Sequence, residues 1–263
     1  MRRWFHPGQR VVAPHRFPGR AGVTFAVLAA AFIFPGGPAQ ARGQDDAAFS
    51  RKRLAMVEEQ VAARGVRDAA VLEALRTVPR HLFVPPELRD EAYGDYPLPI
   101  GGGQTISQPY IVGLMTQSLG LGKGEKVLEV GTGSGYQAAV LARLAGAVFS
   151  IEINGTLARL AGATLKRLGF TNVNVKEGDG FFGWPEEAPF DAIIVTCAVD
   201  RVPPRLMGQL KEGGRLILPL GDSRFFQRLT LVTKKNGKAL VREIIDVRFV
   251  PMTGEALEKE RDH

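Results

Sequence analysis

At 263 residues the chain is long enough for a three-layer α/β core, and its 45% hydrophobic and 23% charged residues exclude a disordered or fibrous protein. Of the net charge of +7, five units come from Arg2, Arg3, Arg10, Arg16 and Arg20, and residues 1–41 hold no acid, so the rest of the chain carries only +2. That balance removes the main support for nucleic-acid binding. The single cysteine, Cys197, excludes an internal disulfide and, inside the apolar run 192–198, reads as core rather than as a nucleophile.

Residues 1–41 have the layout of a secretory leader. A basic lead precedes an apolar core at 23–34, then Pro35-Gly36-Gly37-Pro38 and the small-x-small triplet Ala39-Gln40-Ala41, with cleavage expected after Ala41. The apolar core is too short to span a bilayer, so no stable membrane span is expected. Positions 47–64 read as a helix, with Phe49, Leu54, Val57 and Val61 tending to one face and Gly65 as its stop. Asp68 is placed to cap a second helix over 69–77, ended by Pro79. His81, between apolar residues and prolines in Pro79-Arg80-His81-Leu82-Phe83-Val84-Pro85, reads as structural.

Residues 93–110 show neither helix nor strand period. Their prolines, glycines and clustered hydroxyl and amide side chains predict an ordered, functional loop. A helix over 111–119 leads out of it. Next, the run Val127-Leu128-Glu129-Val130-Gly131-Thr132-Gly133-Ser134-Gly135-Tyr136-Gln137 predicts a strand and a tight turn before a helix at 138–145. Tyr136 stands where a dinucleotide fingerprint needs its third glycine, and no Gly-Lys-Ser/Thr follows, so both phosphate-binding readings weaken. A G-x-G-x-G turn after a strand bearing an acid suits an uncharged nucleoside with a polar tail. S-adenosylmethionine is the cofactor expected.

Strands are then predicted at 147–152, 173–176, 190–196 and 215–220, with helices at 156–168 and 203–210 and Gly213-Gly214 as the stop of the latter. Residues 228–234 and 240–249, joined across Asn236-Gly237, predict an antiparallel hairpin. The fold class is α/β: a doubly wound, mainly parallel sheet flanked by helices, with a C-terminal hairpin. Ligands on such sheets lie at the carboxyl ends of the strands. The cofactor candidates there are Glu129, Gly131, Gly133 and Gly135 from the first strand and turn, and Glu152 at the tip of the second, placed to hold a ribose diol. Asp179 and Gly180 follow the third, suited to an adenine amino group and ring. No metal site is expected.

Two stretches carry a family likeness, Gly101-Gly102-Gly103-Gln104-Thr105-Ile106-Ser107-Gln108-Pro109-Tyr110 and the glycine turn, with Gly178-Asp179-Gly180 and Arg248-Phe249-Val250-Pro251-Met252 beside them. The chain resembles the protein-L-isoaspartate O-methyltransferases over about 51–255. The resemblance implies a Rossmann-like methyltransferase acting on isoaspartyl-containing proteins and peptides, with Thr105 and Ser107 as donors to the substrate carboxylate. It also implies Ile106, Gln108 and Val250 as substrate-binding residues, a monomer, and no nucleic-acid partner. The expected division is a leader at 1–41, a methyltransferase domain at 42–255 with its N-terminal helices and substrate loop at 50–120 and its cofactor core at 121–255, and a charged tail at 256–263. Family habit places the enzyme in the cytoplasm, whereas the leader points to export. The alternatives are a methyltransferase for another carboxylate or small molecule, and a non-catalytic S-adenosylmethionine-binding module. The absence of an Asn/Asp-Pro-Pro-Tyr/Phe motif and of damage to the glycine turn speaks against both nucleic-acid methylation and a lost activity.

Overall fold

The computed structural model describes residues 38–222 and 224–254, so the expected leader up to residue 37 and the tail 256–263 lie outside the described residues. Helix α1, Pro38–Ala55, begins before the predicted position 47 and runs through the expected cleavage junction. It tightens and widens in turn, first as a π-helical turn, Met56–Val61, then as a 3₁₀ turn, Ala62–Arg64, closed by Gly65 at φ 97°. Buried Met56 and Val61 stand five positions apart, the spacing a wide turn brings onto one face. Helix α2, Ala69–Thr77, keeps its predicted limits because the Asp68 carboxylate accepts from Ala70 N at 2.9 Å and Val71 N at 3.1 Å.

The predicted loop 93–110 instead holds a small antiparallel hairpin, β1 (Leu98–Gly101) and β2 (Gln104–Ile106), leading into α3 (Pro109–Leu119). Strands this short, interrupted by Pro99 and flanked by glycines, leave no alternation to read. The chain then runs through β3 (Lys126–Val130), α4 (Tyr136–Ala142), β4 (Ala147–Glu152), α5 (Gly155–Arg167) and β5 (Val173–Glu177). It continues through β6 (Phe190–Val195), α6 (Pro204–Gln209), β7 (Leu210–Leu220), β8 (Gln227–Lys235) and β9 (Lys238–Val247). Here β7 passes straight through Gly213-Gly214, predicted as a stop: Leu210 pairs with Phe190 and Arg215 with Ala192, and a bulge absorbs the residues between.

The large sheet has the order β5-β4-β3-β6-β7-β8-β9, with β3 to β7 parallel and β8 and β9 antiparallel. From β3 the chain moves outward through β4 to β5, then crosses to β6 on the other side. The carboxyl ends of β3 and β6 therefore flank the topological switch, where a crevice opens. Alternate side chains feed two cores. Val127, Val148, Ile194 and Ile217 pack against α2, α3 and α4, while Leu128, Ile151, Ile193 and Leu218 pack against Phe181 and Leu206 on the other face. Complete burial of a side chain such as Leu128 or Ile193 contributes about 1.5–3 kcal/mol. Among the described residues no helix is long and apolar enough to cross a membrane.

Candidate active site

A cavity of about 690 Å³ opens at this switch point, within the range of small-molecule sites. Its floor is the glycine turn after β3. That turn is pinned by Gly131 N donating to Ile151 O at 2.8 Å, by Gly135 N donating to Thr132 O at 2.8 Å, and by Thr196 Oγ1 donating to Gly131 O at 2.7 Å. Gly133 N points the other way and donates to Glu152 Oε2 at 2.8 Å, while Asn154 N donates to Glu152 Oε1 at 3.0 Å. The buried carboxylate at the tip of β4, on the cavity wall, is thus held by the amides of Gly133 and Asn154.

The β1–β2 hairpin lies directly over this floor. A side chain at Gly133 would meet Ile100 Cδ1 at 3.2 Å and one at Gly102 would meet Asn154 Nδ2 at 2.8 Å, and both positions hold a left-handed φ, 52° and 59°, that favours glycine. Asn154, the cap of α5, consequently touches both the hairpin and the Glu152 carboxylate. Thr105 and Ile106 of β2, and Ser107 just after it, line the cavity together with Phe249, Val250 and Met252 from the segment that follows β9. Val250 is fixed by its carbonyl accepting from Ala198 N at 2.8 Å, and Met252 N returns a bond to Ala198 O at 2.8 Å.

A second network, unannounced in the sequence, braces the hairpin from behind. The Asp95 carboxylate accepts from Arg64 Nη1 at 2.5 Å, Gln108 Nε2 at 2.8 Å and Tyr110 N at 3.2 Å. The Arg64 guanidinium stacks 3.6 Å from the centre of the Tyr110 ring and reaches the cavity wall. Gln108 therefore spends its amide on Asp95. The resemblance implies Gln108 as a substrate-binding residue; it lines the cavity, but its side-chain nitrogen is given to Asp95.

Of the predicted cofactor residues, Gly131, Gly133, Glu152 and Gly180 line the cavity, and Glu129, Gly135 and Asp179 do not. Glu129 is fully buried; it accepts a short hydrogen bond from Ser150 Oγ, and Thr132 Oγ1 lies 2.5 Å from the same hydroxyl. Burial, reinforced by the nearby Glu152 charge, raises its carboxyl to about 8 despite that bond. It is a neutral brace beneath the turn. Gly135 packs under Leu165 and Ala161 of α5. Asp179 accepts from Phe181 N at 2.9 Å beside the wall residue Gly180, and Gly254 backs onto its carboxylate.

Cys197 is half-buried on the cavity wall, and its thiol is pushed up to about 12 by burial and by the charges of Glu152 and Asp179. It is a thiol at neutral pH, not a nucleophile. His81 is buried outside the cavity, stacked 4.1 Å from Phe49 with Nδ1 2.7 Å from Tyr93 Oη. Burial and the Arg53 and Arg89 charges hold it down to about 4, neutral and structural as its setting predicts. Among the described residues no group of three or more His, Cys, Asp or Glu is placed to hold a metal ion.

A doubly wound sheet, a glycine turn at its switch point and an acid at the neighbouring strand tip define a Rossmann-like methyltransferase. The profile of the protein-L-isoaspartate(D-aspartate) O-methyltransferases matches residues 51–257, and the chain belongs to that family. Its sequence is 57% identical over 213 residues to protein-L-isoaspartate O-methyltransferase 2 of Shewanella sediminis, covering 81% of this chain and 87% of the relative. To the Opitutus terrae protein-L-isoaspartate O-methyltransferase it is 56% identical over 217 residues, covering 81% and 93%. A solved protein-L-isoaspartate O-methyltransferase superposes with a TM-score of 0.71 at 33% identity, over 81% of this chain and 69% of the other. A Plasmodium falciparum structure described as such an enzyme in complex with S-adenosyl-L-homocysteine gives 0.67 at 27% identity, over 76% and 98%.

Proposed function

We propose that the chain transfers a methyl group from S-adenosylmethionine to the free α-carboxylate of L-isoaspartyl residues in damaged proteins, which starts their repair. The observation that carries this reading is that Thr105 and Ser107 line one cavity together with the glycine-turn residues Gly131 and Gly133 and with Val250. The cavity fits the cofactor: its size suits a nucleoside with a short tail, Glu152 offers acceptors for a diol, and Gly180 lies on the same wall, packed against Val130 where a side chain would clash. Asp179, next to it, is the acceptor we assign to the adenine amino group.

When bound, S-adenosylmethionine supplies a methyl group already activated on a sulfonium. The chain's own residues then bind, orient and exclude water. An α-carboxylate has a pKa of about 3.5 and is ionised at neutral pH, so no general base is required. Thr105 and Ser107 donate to that carboxylate and aim one oxygen at the methyl, a positioning contribution that is large when the reacting atoms are held in line. Ile106, whose side chain is buried, together with Gln108 and Val250 shapes the slot through backbone and placement. Labelled S-adenosylmethionine with an isoaspartyl peptide, run beside its normal aspartyl twin, tests the assignment. The isoaspartyl form alone becomes labelled; equal labelling of both, or of neither, overturns it.

The same reading makes residues 42–255 the catalytic unit, monomeric and cytoplasmic, where S-adenosylmethionine is made, with no nucleic-acid partner. Size-exclusion chromatography and fractionation of the source cell, with N-terminal sequencing, check these points. A chain that starts at Arg42 outside the cytoplasm contradicts the compartment.

A further inference from the structure

The loop between β7 and β8 presents two phenylalanines to water at the rim of the cavity. Phe225 is 68% exposed and Phe226 71%, and Phe226 lines the cavity mouth with Thr105 and Phe249. Neighbouring large apolar side chains left in water mark a contact surface more often than an accident of folding.

The described residues of the loop are tied to the sheet and to one another. Gly221 N donates to Val199 O at 2.8 Å, Phe225 N to Asp222 O at 3.1 Å, and the Arg224 guanidinium pairs with both oxygens of Asp222. Behind it, fully buried Gln227 donates to Phe225 O at 2.7 Å and Asp222 O at 3.1 Å, while its Oε1 accepts from Phe249 N at 2.9 Å. One side chain thereby ties the two phenylalanines to the segment that carries Val250. Arg224 is engaged by Asp222, so this loop offers its two aromatic rings, while exposed Arg248 lines the cavity beside Phe249.

An isoaspartyl residue joins its chain through the side-chain carbonyl, so its α-carboxylate is a short branch. That branch enters the cavity while the polypeptide on both sides stays outside, across the rim. We infer that Phe225 and Phe226 form a subsite for an apolar or aromatic side chain adjacent to the isoaspartyl residue of the substrate. This rests on the isoaspartyl reading above, and it adds a preference among damaged sites that the carboxylate pocket alone does not supply.

The test is steady-state methylation of a set of isoaspartyl hexapeptides that differ only in one neighbour of the damaged residue, with Phe, Leu, Ser or Glu placed in turn on either side. The full-length enzyme favours Phe and Leu over Ser and Glu at one of the two positions by about two- to tenfold in kcat/KM, carried by KM, the scale of one aromatic contact. In Phe226→Ser, and more fully in Phe225→Ser/Phe226→Ser, the ratio between Phe and Ser peptides falls toward one; Phe226→Leu keeps part of it. Equal kcat/KM across the set, or a preference that survives the double substitution, overturns the inference while leaving the reaction intact. Failure to methylate every isoaspartyl peptide overturns the reading it rests on, and the inference with it.

Discussion

Gln108 Nε2 donates to Asp95 twice, to the backbone carbonyl at 2.9 Å and to Oδ2 at 2.8 Å, and so closes the base of the substrate hairpin against the segment that enters it. The same carboxylate binds Arg64 and the amide that opens α3. Asp95→Ala therefore takes the acceptor from Arg64 and Tyr110 N, leaves Gln108 with the backbone carbonyl alone, and loosens the hairpin that carries Thr105 and Ser107. We expect kcat/KM for an isoaspartyl peptide to fall about tenfold or more, since each hydrogen bond to a charged group is worth about 1.5–3 kcal/mol, with part of the loss absorbed by relaxation. Asp95→Asn, which keeps an acceptor, retains more activity. Affinity for S-adenosylhomocysteine, measured by calorimetry, changes little; a parallel loss of cofactor affinity would show that Asp95 serves the fold at large.

Glu152 carries the cofactor prediction. Its two oxygens already accept from Gly133 N and Asn154 N, so the carboxylate both faces the cavity and fixes the turn beneath it. Glu152→Ala should weaken S-adenosylmethionine binding by about 1.5–3 kcal/mol and cost a further ~1 kcal/mol of stability, because two amides lose their acceptor. Glu152→Gln keeps one acceptor oxygen and falls between. Unchanged cofactor affinity in the alanine variant would remove Glu152 from the site.

The central strands were legible because buried parallel strands read as apolar runs: β4 keeps both predicted ends, and β6 differs by one residue. The positions of the glycine turn and of Glu152, at the ends of β3 and β4 on the cavity wall, were legible for a related reason, since the apolar runs fix where each strand ends. What stayed hidden was assembled from distant positions. Arg64 and Asp95 stand 31 positions apart in sequence, and neither segment carries a motif that requires the other. Glu129 illustrates the opposite error. An acid two residues before the first glycine looked like part of the ligand site, but the strand's alternation turns it into the face that Ser150 occupies.

That burial has a consequence for stability. The Glu129 carboxyl is raised from 4.5 to about 8, first by desolvation. Below the lower value both folded and unfolded chains hold the proton. As pH rises toward 8 the unfolded chain ionises while the folded one stays neutral, so this group's contribution to folding declines across that window. Glu129→Gln is neutral throughout and removes the decline. Urea denaturation at about pH 5 and about pH 8 should show the wild type losing stability relative to Glu129→Gln, on the order of a few kcal/mol. Parallel pH profiles for the two proteins would mean that the carboxyl ionises freely in the fold.

Ser107 lines the cavity two positions beyond Thr105 and just before the Gln108–Asp95 brace. Its hydroxyl invites two roles, nucleophile or positioning donor. A nucleophilic serine needs an adjacent base, and His81 is not placed to be one: it is buried outside the cavity and hydrogen-bonded to Tyr93 Oη. A methyl group passed to serine would, moreover, become an unreactive ether. The positioning role requires only that the hydroxyl meet a carboxylate in the cavity. Ser107→Ala should then lower methyl transfer by about ten- to two-hundredfold, the rate equivalent of one lost donor to a charged group, while S-adenosylhomocysteine affinity stays near that of the wild type. Ser107→Thr, which restores the hydroxyl, recovers part of the rate if the wall admits its methyl. Mass spectrometry of the enzyme during turnover separates the two roles: a methylated Ser107 that disappears at a rate matching kcat would replace positioning with covalent transfer.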